Sequence, residues 1–339
     1  MIKTVIKNIR AILPVIIIIT VQVSCFADPT ALNYRKEMRN FVREISTYAK
    51  NKKLDFIIIP QNGLELVTDT GSSDGAVQTD YLAAIDGTGQ EDVLYGYAGD
   101  TSATPQKITD YLRSLCDIFT MHGKKVLAID YCADRTSVNR SYAEHERSGY
   151  ISFAADERLL NTIPRYPDAP YHVNTNDISS LHDARNFLYL INGSRYASKE
   201  ALLQVIINSD YDAVIMDLFQ NEEPFTAQEI ARLKIKKSGG KRLVLCYMSI
   251  GEAEEYRYYW QPSWKHRKPL WLAAENPEWK GNYKVKYWSA QWKRIIYGGA
   301  GSYVDRIIAA GFDGVYLDII DAFEYFEEKS VLPQIIRTD

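Results

Sequence analysis

Strand and helix signals alternate along this chain, and that alternation limits its fold more than any other feature. Tyr34 to Lys50 reads as a helix, with Met38, Phe41, Val42, Ile45 and Ala49 on one face. Leu54–Pro60 is a strand that leads into Gln61-Asn62-Gly63, and Tyr81–Ile85 is a strand candidate running on through glycines to Gln90-Glu91. Thr104–His122 is helical, with Gly123 as its stop, and Lys125–Asp130 is a strand. Arg185–Asn192, Tyr211–Asp217, Arg242–Ser249 and Pro269–Ala274 are further strands. Between them, Ser198 caps a helix to Asn208, and Thr226-Ala-Gln-Glu229 has the form of a capping box. Ser302–Ala310 is a helix leading into Gly311–Asp321. In that last segment Val315, Tyr316 and Leu317 run on without alternation, as in a parallel strand covered on both faces. The main strands begin near 55, 81, 125, 186, 212, 242, 270 and 313, which makes eight, and Tyr150–Phe153 is a short ninth. Alternation over about 290 residues argues for an α/β barrel or a doubly wound sheet. Eight strands fit a closed (β/α)8 barrel, which typically takes about 250 residues plus insertions. Residues 158–183 read as a long irregular connection.

Composition narrows the function classes. The net charge of -3 gives no footprint for a polyanion, so a nucleic-acid partner is not expected. No GxGxxG follows a strand and no GxxxxGK[ST] occurs, so dinucleotide and P-loop readings lack their main support. Aromatic content is high, with 24 Tyr and 6 Trp, which suits either a core or stacking on sugar rings. Residues 1–27 read as an export signal: Lys3, Lys7 and Arg10 are basic, Ala11–Val23 is apolar but short for a membrane span, and Cys25-Phe26-Ala27 precedes the expected cut before Asp28. A lipoprotein signal with Cys25 acylated is the alternative, although Gln22 stands where such a signal wants Leu. Either way the mature protein, residues 28–339, is expected to be an exported single domain, monomeric and without a membrane span. Cys116, Cys132 and Cys246 would remain, with no CxxC spacing and no even count to pair; Cys132 and Cys246 lie in apolar runs and read as buried small hydrophobes.

The strand ends carry the chemistry. They offer Asn62, Glu91, Asp130, Asn192, Asp217, Glu252, Glu254, Asp318 and Asp321. Any one of these could simply cap a helix or pair with an Arg. In a closed barrel, however, strand C-termini meet on one rim, where chemistry is done. Crowded carboxylates there push some pKa values up and leave one protonated acid beside one ionised carboxylate, as glycoside hydrolysis needs. A divalent metal is the other use for such a cluster, while the scarcity of His at these strand ends argues against zinc or iron. Tyr247–Glu254 passes from strand to loop at Gly251 and is followed by Tyr256, Arg257, Tyr258, Tyr259 and Trp260, which would either line a saccharide cleft or pack the loop. Trp264, Trp271, Trp279, Trp288 and Trp292 divide in the same way, between core and cleft.

Tyr211–Asp217, Tyr247–Glu254 and Gly311–Asp318 together resemble glycoside hydrolase family 114, the TIM-barrel group of endo-α-1,4-polygalactosaminidases and spherulin-4-like proteins. Pro60-Gln61-Asn62-Gly63, Asp86–Glu91 and Val126–Tyr131 resemble its bacterial and archaeal branch, so the likeness covers nearly all of residues 38–325. In the family pattern these last three motifs come at the end; here they come first, so the chain looks circularly permuted. That order requires the helix at 34–50 to lie beside the strand at 313–318. The resemblance implies Asp318 and Glu91 as the catalytic acids, with Asp318 leaning towards nucleophile and Glu91 towards proton donor. It makes Gln61, Asn62, Asp130, Tyr131, Asp217, Tyr247, Glu252, Glu254 and Asp321 substrate-binding groups, with no cofactor and no metal. The implied substrate is an α-linked, amino-sugar-containing polysaccharide or oligosaccharide. Two rivals stand beside it: a carbohydrate-binding barrel without turnover, and metal-assisted hydrolysis at the same rim.

Overall fold

A computed structural model describes residues 32–335, so the segment expected to be an export signal, residues 1–27, lies outside the described residues. The fold is mixed α/β on parallel sheets. We label the parallel strands β1 (Ile57–Pro60), β2 (Gly87–Glu91), β3 (Lys125–Tyr131), β4 (Ile151–Ala155), β5 (Phe187–Tyr189), β6 (Ala213–Met216), β7 (Leu243–Ser249) and β8 (Gly314–Asp318). One sheet has the order β1-β8-β7-β6-β5 and a second has the order β2-β3-β4. Every pairing within them is parallel. The edges of the two sheets meet between β1 and β2, where Gln61 bridges Gly89 and the Asn62 amide donates to the Gly89 carbonyl at 2.8 Å. At the other pair of edges, β4 lies beside β5. Nearly every residue of these strands is buried, which is why their sequences read as apolar runs.

The helix Tyr34–Lys52 buries Met38, Phe41, Val42, Ile45 and Ala49, the face anticipated from spacing. Its end lies against the approach to β8. Tyr48 Oη donates to Asp305 at 2.9 Å, and Lys53 Nζ reaches the Phe312 carbonyl at 3.1 Å and Asp313 at 3.2 Å. Ser198 caps its helix through the Ala201 amide, and Thr226 with Glu229 forms a complete capping box. Cys116, Cys132 and Cys246 are free and buried. Among the described residues, no helix is long and apolar enough to cross a membrane.

Three strand expectations are corrected. Tyr81–Ile85 is not a strand: Thr79–Ala84 is a short helix that buries Tyr81 and Leu82, and the strand is the glycine-rich Gly87–Glu91. Pro269–Ala274 is not part of the parallel framework. Its residues from Leu272 belong to a separate antiparallel sheet, ordered Glu252–Glu254, Asn282–Val285, Leu272–Glu275. Tyr150–Phe153, short in sequence, is a full member as β4, paired with β3 from Ile151 to Ala155. The number eight survives because one strand was lost and another gained.

Candidate active site

The C-terminal ends of the parallel strands open into a cleft of about 960 Å³. Its lining includes Gln61, Asn62, Glu91, Tyr131, Asp217, Tyr247, Glu252, Glu254, Asp318 and Asp321. Strand register explains why they converge. Asp318 on β8 is level with Ser249 on β7, Tyr316 with Tyr247, and Leu317 with Pro60 on β1. Side chains on a strand alternate, so Tyr316 and Asp318 share one face. The chain turns sharply just past three strand ends: Asn62, Asp92 and Ile319 all have positive φ, near 60°. For Ile319, a β-branched residue, this is a strained conformation of the kind that collects at functional sites.

Glu91 and Asp318 are held differently. Glu91 Oε2 accepts from Asn62 Nδ2 at 2.9 Å, its other oxygen accepts from Tyr131 Oη, and its amide donates to Asn62 Oδ1 at 3.1 Å. Asp318 accepts from Tyr247 Oη at 2.6 Å. Burial, then the negative charge of Glu91, pushes the Asp318 carboxyl up to about 8, against the opposing hydrogen bond from Tyr247. Asp321 is pushed up to about 6, chiefly by burial, with Lys284 opposing. Asp92, next to Glu91, is pushed up to about 7 by burial despite its ion pair with Arg158 at 2.8 Å. Tyr316 lies against the same charges, and among the described residues its buried hydroxyl has no hydrogen-bond partner.

The acids after Gly251 line the cleft but are not loose rim groups. Arg257 is buried and grips Asp217 through two 2.7 Å hydrogen bonds while its Nε donates to Glu254 at 2.6 Å. Glu252 is fully buried, and one of its oxygens takes Lys284 at 2.7 Å and Asn276 at 2.8 Å. The aromatic run divides. Tyr256 and Tyr258 line the cleft, whereas Tyr259 packs edge-on against Trp292 and Trp260 packs against Trp264 and Tyr283.

Asp130 is a correction: it is not in the cleft lining. It is fully buried and accepts from the amides of Leu94 and Tyr95 and from Ser141 Oγ, with His145 Nε2 2.8 Å away. Burial alone would raise its pKa, but His145 and these donors hold it below the usual carboxylate range. It ties β3 to the following segment and to helix Arg135–Arg147. Arg158, Tyr189, Phe219 and Trp279 also line the cleft without having been singled out as site residues. Tyr189 Oη donates to Gln61 at 2.7 Å, and Arg158 lies 4.0 Å over the Tyr131 ring. Tyr189 could have been found from its alternation within the strand. Arg158 comes from the irregular connection and has no sequence signal.

Residues 184–334 match the model of glycoside-hydrolase family GH114. An uncharacterized protein of Methanocaldococcus jannaschii is 40% identical over 159 residues, 46% of this chain and 42% of the relative. Uncharacterized proteins of Thermotoga maritima and Deinococcus radiodurans are 39% and 38% identical, each over 38% of this chain and over 38% and 39% of their own lengths. The matched part thus spans about two fifths of these curated relatives. The family match supports a glycoside-hydrolase-like function.

Proposed function

We propose that this chain is an exported glycoside hydrolase that cleaves an α-linked, amino-sugar-containing polysaccharide, with Glu91 and Asp318 flanking the scissile bond. The observation that carries this reading is the contrast between the two carboxyls. Asp318, half-buried at the end of β8, is raised to about 8 by desolvation and by the charge of Glu91, while Glu91 accepts hydrogen bonds from Asn62 and Tyr131. One proton held within such a pair supplies both an acid and a base at neutral pH, and it belongs to the pair rather than to either residue. For Asp318 to act as nucleophile, that proton must leave it when substrate enters, which makes Glu91 the donor to the leaving oxygen. The cleft carries eight carboxylates (Glu91, Asp217, Glu222, Glu252, Glu254, Glu255, Asp318, Asp321) against Arg158 and Arg257. That balance favours an ammonium-bearing or neutral glycan over an anionic one.

The supporting framework is a closed, circularly permuted (β/α)8 barrel within residues 32–335. Closure is favoured by the bridge between β1 and β2 and by the adjacency of β4 and β5. Permutation is favoured by the family match over 184–334 with the Pro60–Gly63, Asp86–Glu91 and Val126–Tyr131 motifs standing ahead of it.

The test is a screen of the purified protein against galactosamine-, galactose- and glucosamine-containing polymers, reading released oligosaccharides. Glu91→Gln and Asp318→Asn should each abolish release with the fold intact, and full activity in either refutes that residue's role. Glycan binding with no release from the unaltered protein would leave a binding barrel. Loss of release on chelation would point to a metal.

A further inference from the structure

Of the six tryptophans in the chain, Trp260, Trp264, Trp271, Trp288 and Trp292 all pack ring against ring with neighbouring aromatics. Trp279 does not: among the described residues it has no ring partner, and it is 51% exposed. It sits at the tip of the hairpin joining Leu272–Glu275 to Asn282–Val285, and it lines the cleft. A large apolar ring left half in water contributes little to folding, and aromatic side chains with a few polar groups are the usual lining of a ligand cleft.

Hydrogen bonds fix the backbone of the hairpin that carries that ring. The Asn276 amide donates to Asn282 O at 2.7 Å, the Asn282 amide to Trp279 O at 3.0 Å, and the Gly281 amide to Glu275 Oε1 at 2.8 Å. Asn276 Nδ2 ties the tip to Glu252 at 2.8 Å. The second oxygen of Glu252 is buried and, among the described residues, has no hydrogen-bond partner. An aromatic face in a cleft that also carries a carboxylate oxygen without a partner among the described residues and an amide, Asn282, is a combination that suits a pyranose, whose faces are C–H and whose edge is hydroxyl or amine. At about 960 Å³ the cleft reaches the top of the ~300–1,000 Å³ range that holds one drug-sized ligand, so it has room for sugars beyond the cleaved pair.

We propose that Trp279, with Glu252 and Asn282 at the root of its hairpin, forms a distal subsite that stacks one pyranose ring of the polysaccharide away from the scissile bond. This rests on the glycosidase reading above. The subsite makes cleavage depend on chain length, because only a chain long enough to span from the Glu91–Asp318 pair to the hairpin gains the stacking contact.

The experiment compares unaltered protein, Trp279→Ala and Trp279→Phe on oligosaccharides of increasing length cut from whichever polymer the screen shows to be cleaved. Thermal melts check folding. Trp279→Ala should raise KM for the long oligosaccharides by roughly tenfold, in line with the loss of one stacked ring, and far less for the shortest cleaved one. Trp279→Phe should recover most of that loss, and kcat at saturation should fall much less than kcat/KM. An equal penalty at every length, or none on long chains, overturns the subsite while leaving the glycosidase reading standing. If the unaltered protein cleaves no polymer and Glu91→Gln binds none by calorimetry, the glycosidase reading fails and the subsite fails with it.

Discussion

Asp318 and Asp130 are both aspartates at strand ends, the first half-buried and the second fully buried, and their partners give them opposite behaviour. Asp318 is raised to about 8 where an unfolded Asp titrates near ~3.9, so between those values the folded protein binds the extra proton. Its contribution to stability is therefore largest below about pH 4 and is lost as pH rises towards 8. Asp318→Asn should accordingly stabilise the protein at pH 7.5 by roughly 1–3 kcal/mol and make little difference near pH 4, as measured by denaturant melts at both values. Glu91→Gln should lose about 10²–10⁴-fold in activity, the scale of a missing acid–base group, and Asp318→Asn, which removes the nucleophile, at least as much. Asp130 has the reverse sign: it is held low by His145 and Ser141, so its contribution is present above the unfolded pKa and is lost on acidification. Asp130→Ala strands His145 in the core and should cost about 3–5 kcal/mol in a urea melt. Sequence placed both residues in one acidic set because a strand end looks the same whether its carboxylate faces a cleft or a buried histidine.

At the scale of elements, β2 is the most instructive. Its sequence Gly-Thr-Gly-Gln-Glu has no apolar run, so periodicity passed over it in favour of Tyr81–Ile85. Its packing comes from a neighbouring strand: a Cβ built on Gly89 would lie 1.8 Å from the Tyr316 hydroxyl of β8. Gly89→Ala should therefore destabilise by about 1–3 kcal/mol as an overpacked site, and combining it with Tyr316→Leu should recover part of that cost in a double-mutant cycle. Additive losses in the cycle would show that the two positions do not compete for space. The capping box at Thr226–Glu229 was legible because its partners lie within one helical turn; Thr226→Ala should cost about 1 kcal/mol in a thermal or urea melt. Pro269–Ala274 reads as a barrel strand because it is a short apolar run, but local pattern does not say which sheet an extended segment joins, and its residues from Leu272 belong to the antiparallel excursion that carries Trp279.

At the scale of the whole molecule, the proposed permutation makes a constructive prediction. Helix Tyr34–Lys52 and helix Ala322–Ile335 lie together, with Arg35 Nε 3.0 Å from Glu327. A chain that links residue 335 to residue 34 and opens instead within residues 180–184 should fold with the same circular dichroism spectrum and keep the activity of the original, since its order would be the family order. Failure of that chain to fold would count against the permuted barrel. What the sequence determined by itself is the class of fold and the acids at the strand ends. Both follow from local physics, since apolar runs bury and short polar signals cap or terminate. The tertiary structure alone decided which acids meet. Glu91 and Asp318 are 227 positions apart (318 − 91), and only the order β2, β1, β8 brings them to one cleft. It also decided that Arg257 binds the protein's own Asp217 and Glu254, that Asp130 turns inward, and that Trp279, among the described residues, has no ring partner. These outcomes depend on desolvation and charge in a shared space, which no stretch of the chain carries by itself.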